Sequence, residues 1–444
     1  MNLTLYNKTG YEKNTPFAPR RNEPKRTQFP RPLLQFGKSR SCTYAVNQLS
    51  CCNLTGEICM KKELLITNCR LFDAAENGRT TSIFISNGLI TKIGQTNASA
   101  ARDSTLDAQG RAVAPGLIDV HIQGAGGADV LDATPQALQA ISQTCARFGA
   151  TGFLATTVFK PGRENKHLSL AAEYVGRDLG GAALLGIHLE GPFISLERKG
   201  MILPECVCSA SEQVLDEIIG ITKGRLRMMT IAPELPDGLK LIRRLVDSGI
   251  VASFGHSNAT YEQTLKGFDA GISHVTHLFN TMPSIHHRSP GPLIAIFATR
   301  RITAQLIADG VHIHPAVLKF AFDALGPDRI LPITDGMQAI GLADGRYVYN
   351  GIEYESRNGT ARYKDGTLIG TALGLSQLLD RLTTYTNCPL ETAIRMAAEN
   401  PARLLGLEDK KGSIAVGKDA DLVLLDRDRS VYATIVAGNI VFKK

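Results

Sequence analysis

Several apolar runs in this 444-residue chain end on residues that can bind a metal or carry a proton. In the stretch GIHLEGPFI at 186–194, an apolar run ends on Glu190, and Gly191-Pro192 then breaks the strand. Comparable positions elsewhere hold a set of aspartates and histidines: Asp119, His121, His256, His277, His312 and Asp335. A solvated strand end would explain any one of them, so their meaning depends on whether the fold brings them together.

These residue types could together carry out a metal-dependent hydrolysis. A carboxylate and two imidazoles suit Zn²⁺, which keeps a further position for water. The ion lowers the pKa of that water toward about 7. An aspartate beside it can take the water's proton and pass it to a leaving group, and a neutral histidine across the site can polarise a carbonyl. A single histidine more often has a structural role, but the coincidence at five strand ends favours a metal hydrolase; those ends carry Glu190, His256, His277, His312 and Asp335.

The elements that carry these residues alternate between apolar runs and helix-like segments. Eight runs occur in this pattern, at 116–122, 151–158, 183–190, 225–234, 250–256, 272–279, 302–310 and 329–336. Eight β/α units favour a (β/α)8 barrel, although strand spacing alone also allows a doubly wound sheet. In a barrel the carboxyl ends of all strands meet at one face, where active sites form. The sequence therefore predicts that the polar residues converge there.

Short alternating strands flank the barrel at both ends of the folded body. They occupy 63–112 and 412–444, and the N-terminal set alone would leave exposed sheet edges. We expect the two sets to pair into one small β-sandwich domain, formed by 60–113 and 408–444, around a catalytic barrel at 114–407. After the eighth strand, 341–371 is predicted to be an inserted hairpin, followed by helices at 372–384 and 389–406.

Residues 1–59 differ in composition from the rest. They contain many prolines and no apolar period, which predicts a disordered leader. An Arg-rich transit peptide is one alternative. The other is a start assigned upstream of the true one at Met60, because Gly56-Glu57 could be encoded by a ribosome-binding sequence. The segment carries +6 of the net charge of +7, so the basic balance is no sign that the body binds nucleic acid.

The body shows no sign of a membrane or secreted protein. No run of 18 uncharged apolar residues occurs, so no transmembrane helix and no membrane partner are predicted. The nine cysteines show no disulfide framework, which favours a reducing cytoplasm.

A set of motifs makes the chain resemble the N-acetylglucosamine-6-phosphate deacetylase family of the amidohydrolase superfamily, from about residue 62 to the C-terminus. They are PGLIDVHIQG (115–124), HLEGPFI (188–194), GHSNA (255–259), THLFNTM (276–282), DGVHI (309–313), ITDGM (333–337) and GSIAVGKDADLVLLD (412–426). The resemblance implies the same barrel and β-sandwich. It implies removal of the acetyl group from N-acetylglucosamine 6-phosphate, giving glucosamine 6-phosphate and acetate.

The resemblance also implies roles for individual residues. One divalent metal per subunit would be held by Glu190, His256 and His277. Zn²⁺ suits these ligands, and Fe²⁺, Co²⁺ or Mn²⁺ would fit them too. Asp335 resembles the general base and acid, and His312 the residue that contacts the acetamide carbonyl. The substrate-binding set comprises Asn280, Thr281, His312, Gln123 and Arg288.

Arg288 resembles an arginine that reaches the phosphate in a neighbouring subunit, which implies a homodimer. Its planar fork suits a phosphate group.

Two departures from the family pattern affect the prediction. Binuclear amidohydrolases carry His-x-His on the first strand, and here it is His121-Ile122-Gln123. Gln123 is a poor Zn²⁺ ligand, so Asp119 and His121 are expected to be supporting residues or a weak partial second site. The loop after HLEGP usually ends in a histidine that contacts a sugar hydroxyl, and here Ile202 takes its place.

Loss of that hydroxyl contact leaves alternatives open, because such contacts discriminate strongly. N-acetylgalactosamine 6-phosphate is a second candidate substrate. A third hypothesis is a related amidohydrolase that acts on another N-acyl or cyclic amide. A fourth is a non-enzymatic scaffold, although scaffolds lose metal ligands and this chain keeps the full set of candidate ligands.

Overall fold

The computed structural model describes residues 63–72, 80–94 and 104–444. The predicted leader at 1–59 lies outside these residues. The described chain contains a parallel barrel, a separate sheet built from both of its ends, and a smaller inserted sheet.

Eight parallel strands form the barrel, in the order β15-β14-β13-β12-β11-β10-β9-β6. The sheet closes where the end of β6 meets the segment after β15, through a parallel bridge between Ile122 and Gly336. This confirms the predicted (β/α)8 barrel over a doubly wound sheet. Their bounds are β6 (Leu117–Ile122), β9 (Ala150–Thr157), β10 (Ala183–Glu190), β11 (Leu226–Ile231), β12 (Val251–Phe254), β13 (His274–Val275), β14 (Thr303–Leu306) and β15 (Ile330–Pro332).

Helices connect the strands and cover the outside of the barrel. Local sequence sets their ends: the Thr134 side chain accepts from the Ala137 amide at the start of α1, and Thr260 forms a capping box with Gln263 at the start of α5. The helices are α1 (Pro135–Arg147), α2 (Lys166–Tyr174), α3 (Glu212–Thr222), α4 (Gly238–Asp247), α5 (Tyr261–Ala270), α6 (Gly291–Ala298), α7 (Pro315–Leu325), α8 (Leu375–Thr386) and α9 (Leu390–Leu404).

The second domain is a sheet of eight strands from both ends of the described chain, as predicted. β1 pairs with β2 and β4 along its first half and with β5 along its last residues, so it joins the two layers. Leu64, Ile85, Leu422 and Ile435 belong to the apolar core that the layers enclose. The strands are β1 (Glu63–Leu71), β2 (Thr81–Ser86), β3 (Leu89–Ile93), β4 (Thr105–Asp107), β5 (Ala112–Pro115), β20 (Leu422–Leu425), β21 (Val431–Val436) and β22 (Asn439–Lys443).

Two small sheets stand at the carboxyl face of the barrel. The segment predicted as one hairpin is a four-stranded antiparallel sheet, made of β16 (Gly345–Tyr349), β17 (Ile352–Arg357), β18 (Thr360–Tyr363) and β19 (Leu368–Thr371). The prediction was too simple because Asn350-Gly351 and Asn358-Gly359 each make a turn with positive φ, which reverses the chain twice. A two-stranded hairpin, β7 (Gly124–Ala125) and β8 (Ala128–Asp129), follows β6.

Within the described part of the chain, no helix is both long enough and apolar enough to cross a membrane.

Arg329, directly before the last barrel strand, ties that strand to the end of α6 and the segment that leads into β14. Its guanidinium donates to the carbonyls of Ile302 (2.7 Å), Ile296 (2.7 Å) and Thr299 (3.0 Å). We expect Arg329→Ala to lower the free energy of unfolding by about 2–3 kcal/mol, because hydrogen bonds to a charged donor are lost at half-buried carbonyls. Thermal unfolding of the purified variant measures this.

The matched control is Arg395→Ala, which removes an exposed arginine that makes ion pairs with Asp328 and Glu399. Its effect should stay below about 1 kcal/mol. Equal unfolding midpoints for the two variants would contradict the role given to Arg329.

Candidate metal centre and active site

Three buried side chains from three strand ends meet at one point. Glu190 ends β10, His256 follows β12 and His277 follows β13. Glu190 Oε1 lies 2.9 Å from Nε2 of each histidine, and the two Nε2 atoms are 3.1 Å apart. Among the described residues this is the one group of three or more His, Cys, Asp or Glu whose ligand atoms lie close enough to share a metal ion.

The hydrogen bonds around His256 favour a cation between these atoms. His256 Nδ1 lies 2.8 Å from the carbonyl oxygen of Arg198, so Nδ1 carries the proton and donates it. In the tautomer with the proton on Nδ1, the lone pair of Nε2 points toward the Glu190 carboxylate. Two electron-rich atoms at that distance repel each other unless a positive charge lies between them. Two imidazole nitrogens and one carboxylate oxygen are a donor set that Zn²⁺ and similar ions accept, so the residues fit a divalent metal.

The backbone at this centre is held in an uncommon conformation. His256, His277 and Asp335 have φ of 48°, 25° and 46°, in the left-handed region that non-glycine residues seldom adopt. Phe279 and Thr281 share this feature, with φ of 78° and 56°. Each such residue costs on the order of 1–3 kcal/mol, and this kind of strain concentrates at functional sites.

The loop after Glu190 packs directly against His256. A Cβ added to Gly200, whose φ is +54°, would lie 2.8 Å from Cγ2 of Thr281 and 3.5 Å from Cε1 of His256. Glycine therefore allows the close approach that brings the Arg198 carbonyl to the His256 ring.

Asp335 lies beside the three-residue cluster and is held by side chains of the first barrel strand. Asp335 Oδ1 lies 3.2 Å from His121 Nε2, and Gln123 Nε2 donates to the same oxygen at 3.1 Å. Burial raises the pKa of Asp335, but the neighbouring His121 outweighs it and lowers that pKa below its usual value. Asp335 is thus a carboxylate, the form that accepts a proton.

The structure places Gln123 between the two carboxylates of the centre. Its Nε2 also lies 3.4 Å from Glu190 Oε2, and its Oε1 has no hydrogen-bond partner among the described residues. The amide thus stands where it can orient Asp335 and still offer an acceptor to a substrate.

Asp119 is not placed as a metal ligand, because both of its carboxylate oxygens accept hydrogen bonds from the protein. Its Oδ2 accepts from the Thr334 hydroxyl at 2.6 Å, and its Oδ1 accepts from the backbone amide of His121 at 3.2 Å. These bonds join the first strand to the residue before Asp335. Burial raises the pKa of Asp119 to about 6. The arrangement favours the predicted supporting role over a partial second metal site.

Sequence reasoning missed Gln305 of β14. Its Oε1 lies 2.9 Å from His121 Nδ1 and 3.2 Å from the backbone nitrogen of His277, so one amide oxygen fixes both histidines. The only signal in the sequence was an amide in a short, mostly buried strand, which does not say what the amide contacts.

Asp309 was also missed, and it holds His312. The Asp309 Oδ2 lies 2.7 Å from His312 Nδ1, and its Oδ1 accepts from the backbone amides of Val311 and His312. Both side chains are buried. The bond puts a proton on Nδ1 of His312 and leaves Nε2 to face a ligand. Arg381 donates to the Asp309 carbonyl at 2.7 Å and supports the turn from behind.

The predicted phosphate-side residues lie in the loop after β13. Asn280 Nδ2 lies 3.3 Å from the His277 carbonyl, and the Thr281 hydroxyl donates to the Asn280 carbonyl at 2.6 Å. Arg288 is exposed, and its guanidinium lies 2.8 Å from His287 Nε2. Ile202 is buried in an apolar cluster with Val158, Ile194 and Cys206, among other residues, and offers no polar group.

The (β/α)8 barrel and the Glu190, His256 and His277 cluster together indicate one class of proteins. Sequence comparison identifies the same class. The chain belongs to the amidohydrolase family, whose profile matches residues 112–441. This family is metal-dependent, in agreement with the Glu190, His256 and His277 cluster.

Named relatives narrow the comparison. The chain is 37% identical to N-acetylglucosamine-6-phosphate deacetylase of Bacillus subtilis (strain 168), over 86% of this chain and 98% of the relative. It is 35% identical to N-acetylgalactosamine-6-phosphate deacetylase of Escherichia coli O157:H7, over 80% of this chain and 93% of the relative. A solved structure of N-acetyl-D-glucosamine-6-phosphate deacetylase from Mycobacterium smegmatis, a mutant in complex with N-acetyl-D-glucosamine 6-phosphate, has a TM-score of 0.76 at 33% identity and covers 86% of this chain and 100% of that one.

The Asp309–His312 contact gives a testable prediction. We expect Asp309→Asn to lower kcat/KM for an amide substrate by at least about tenfold, because His312 loses the partner that sets its proton. Metal content should stay unchanged, since neither residue belongs to the three-residue cluster. Steady-state kinetics with metal analysis on the same sample measures both.

Measuring the free energy of unfolding as a function of pH separates loss of the Asp309–His312 contact from general destabilisation. Burial raises the pKa of Asp309, but its bond to His312 and two amides outweighs this and lowers it. A lowered folded pKa contributes stability above the unfolded value and loses it as pH falls through the folded one. The stability gap between the protein and Asp309→Asn should therefore be full above about pH 4 and shrink below it. The control Asp323→Asn removes an exposed carboxylate paired with Lys319 and should leave kcat/KM unchanged.

Proposed function

We propose that the protein hydrolyses the N-acetyl group of an amino sugar 6-phosphate, with N-acetylglucosamine 6-phosphate as the first substrate and glucosamine 6-phosphate and acetate as products. The observation that carries this proposal is the buried cluster of Glu190, His256 and His277 beside the Asp335 carboxylate. It occurs in an amidohydrolase whose relatives are named as deacetylases of these sugars.

The chain's own residues supply the proton chemistry. A divalent ion held by Glu190, His256 and His277 supplies, when bound, activation of a water and polarisation of the acetyl carbonyl. Asp335 takes the proton from the attacking water and returns it to the sugar nitrogen as the C–N bond breaks. The proton count balances, because one water is split between the acid and the amine. His121 and Gln123 hold Asp335 in place for both transfers.

His312 is proposed to contact the oxygen of the scissile carbonyl. Its Nδ1 donates to the Asp309 carboxylate, so Nε2 faces the ligand, and a proton carried on Nε2 makes the ring a donor to that oxygen. A positioned group of this kind stabilises negative charge as it develops on the oxygen.

We propose one metal per subunit, with Zn²⁺ first and Fe²⁺, Co²⁺ or Mn²⁺ as alternatives for the same donors. Support comes from Gln123 and Asp119. The Gln123 amide bridges Glu190 and Asp335, and the Asp119 oxygens are bonded to Thr334 and His121.

N-acetylgalactosamine 6-phosphate is the second candidate substrate. A relative with that name is 35% identical, and Ile202 contributes no hydrogen bond to either sugar. Without that contact the site has less to distinguish an inverted hydroxyl. A different N-acyl substrate is the third candidate, and Ile202 is again the residue that favours it.

The phosphate is proposed to bind at Asn280, Thr281 and Arg288. Arg288 has an exposed guanidinium and no carboxylate partner among the described ion pairs. Large apolar side chains at Ile285, Val311, Val317 and Phe320 are also exposed on the segments that follow β13 and β14. Exposed apolar groups of this size favour an interface, so we propose a homodimer in which Arg288 reaches the neighbouring site.

The free cysteines of the described residues fit the proposed cytoplasmic location.

The direct test is acetate release from the two N-acetyl amino sugar 6-phosphates, side by side, with metal content measured on the same sample. We expect turnover of at least one sugar with about one metal per chain. Chelation should abolish turnover, and Zn²⁺ should restore it. Metal-loaded protein that releases acetate from neither sugar would reject the proposal.

Mixing two inactive variants tests the subunit arrangement. Asp335→Asn lacks the base, and Arg288→Ala lacks the phosphate contact. If Arg288 acts on the neighbouring site, each mixed dimer regains one of its two sites, so a 1:1 mixture with random subunit exchange regains about one quarter of all sites. Light scattering establishes the mass beforehand, and no gain over the unmixed variants would place Arg288 in its own site or outside any site.

A further inference from the structure

The loop that carries His256 is held from outside the centre by a carboxylate that the proposed reaction does not use. Glu234 lies three residues after β11, and its Oε1 accepts from the backbone amide of Asn258 at 2.6 Å. Its Oε2 accepts from the Ser257 hydroxyl at 2.7 Å. One carboxylate thus binds both of the residues that follow His256 in the chain.

The Asn258 side chain closes a ring of contacts around His256. Its Oδ1 accepts from Nε of Arg198 at 2.9 Å, and its Nδ2 donates to Oε2 of Glu197 at 2.7 Å. The Arg198 carbonyl in turn accepts from His256 Nδ1 at 2.8 Å. One arginine therefore binds Asn258 through its side chain and His256 through its backbone. The outer clamp, as we call this group, consists of Glu197, Arg198, Glu234 and Asn258.

The backbone of His256 depends on such support because its φ of 48° lies in the left-handed region. A residue other than glycine keeps this conformation only where its surroundings fix it. The Ser195 amide donates to the His256 carbonyl at 2.8 Å, and Glu234 holds the two residues that follow. These contacts keep Nε2 of His256 directed at Glu190.

Of the two histidines in the centre, His256 is the one whose ring is held by a hydrogen bond to a backbone carbonyl. Histidines that bind metals usually donate their other ring N–H to a fixed acceptor, which orients the ring and makes the ligand nitrogen more basic. His256 has this acceptor in the Arg198 carbonyl, whereas Nδ1 of His277 has no hydrogen-bond partner among the described residues. The orientation of one of the two imidazoles thus depends on the outer clamp.

We propose that Glu234 and Asn258 are positioning residues that set how tightly the centre holds its divalent ion, acting through the Arg198 carbonyl and the His256 ring. The inference rests on the proposed function for the identity of the centre, but its readout is metal binding and not turnover alone. Neither residue is among those proposed to contact substrate. Loss of either one should therefore weaken metal binding more than it changes the chemistry of the loaded enzyme.

The test is Glu234→Gln, with Zn²⁺ affinity measured by competition against a chromophoric chelator. The variant keeps the shape of the side chain but replaces one oxygen with an NH₂ group, which cannot accept from Ser257 or from Asn258. We expect the dissociation constant for Zn²⁺ to rise at least about tenfold. Excess Zn²⁺ should restore most of the acetate release that the variant loses when Zn²⁺ is limiting.

Asn258→Ala provides a second, independent variant. It removes the side-chain contacts with Arg198 and Glu197 and keeps the backbone amide that Glu234 binds. Zn²⁺ binding should weaken in this variant as well. Because both substitutions loosen the same ring of contacts, the double variant should weaken binding by less than the product of the two single effects.

The matched control is Glu262→Gln, which makes the same chemical change at an exposed glutamate of α5. The Glu262 carboxylate accepts from the Thr260 hydroxyl at 3.0 Å and lies outside the outer clamp. Its Zn²⁺ dissociation constant should equal that of the unmodified protein.

Unfolding midpoints with and without Zn²⁺ separate positioning from general destabilisation. A merely structural role would lower the midpoints of the metal-free and the metal-loaded protein equally. The proposed role reduces the gain on adding Zn²⁺, because that gain depends on the ratio of the ion concentration to its dissociation constant. We expect the gain to shrink in Glu234→Gln and Asn258→Ala and to stay the same in Glu262→Gln.

The outcomes are distinguishable from those of the proposed function. An unchanged Zn²⁺ dissociation constant in both Glu234→Gln and Asn258→Ala overturns the positioning role alone, as does a loss of activity that excess Zn²⁺ does not restore. Unmodified protein that binds Zn²⁺ but releases acetate from neither N-acetyl sugar overturns the proposed function, while the Zn²⁺ affinities of the variants still decide the positioning role.

Discussion

The contact on which this site depends is the approach of two imidazole nitrogens to one carboxylate oxygen, all three on buried side chains. His256 Nε2 and His277 Nε2 lie 2.9 Å from Glu190 Oε1 and 3.1 Å from each other. Electron-rich atoms held this close inside a protein are costly unless a cation lies among them. The surrounding structure maintains the arrangement through the Arg198 carbonyl, the Gln305 amide and the left-handed backbone of both histidines.

Closure of the barrel also fixes the position of the Asp335 carboxylate, the proposed base. The Asp335 amide donates to the His121 carbonyl, and the Asp335 carbonyl accepts from Thr371 of the inserted sheet. Asp119 binds the adjacent Thr334 from the first strand. The last strand can therefore complete the barrel only with Asp335 facing His121 and Gln123. Barrel closure in this chain thus positions the proposed proton carrier without a dedicated loop.

Much of this could be predicted from the sequence, because strand ends in a barrel must converge. Glu190, His256 and His277 each follow an apolar run, so their meeting is a consequence of topology. Gln305 and Asp309 could not be found in this way. Gln305 acts on partners that are distant in sequence, and Asp309 acts within a turn, so neither residue has a distinctive spacing. The inserted segment was predicted as one hairpin and is a four-stranded sheet. Its two Asn-Gly turns do not show how many strands pair or in which order.

The loop from Arg198 to Ile202 separates contacts to His256 from apolar packing. Its first residues support this proposed metal ligand: the Arg198 carbonyl fixes His256, and Gly200 gives the backbone room beside that ring. Its last two residues, Met201 and Ile202, are buried in two different apolar clusters. The contacts with His256 use backbone atoms and a glycine, so the side chains at 201 and 202 take no part in them. A substitution at either position therefore alters the apolar packing beside the site without removing a contact to His256.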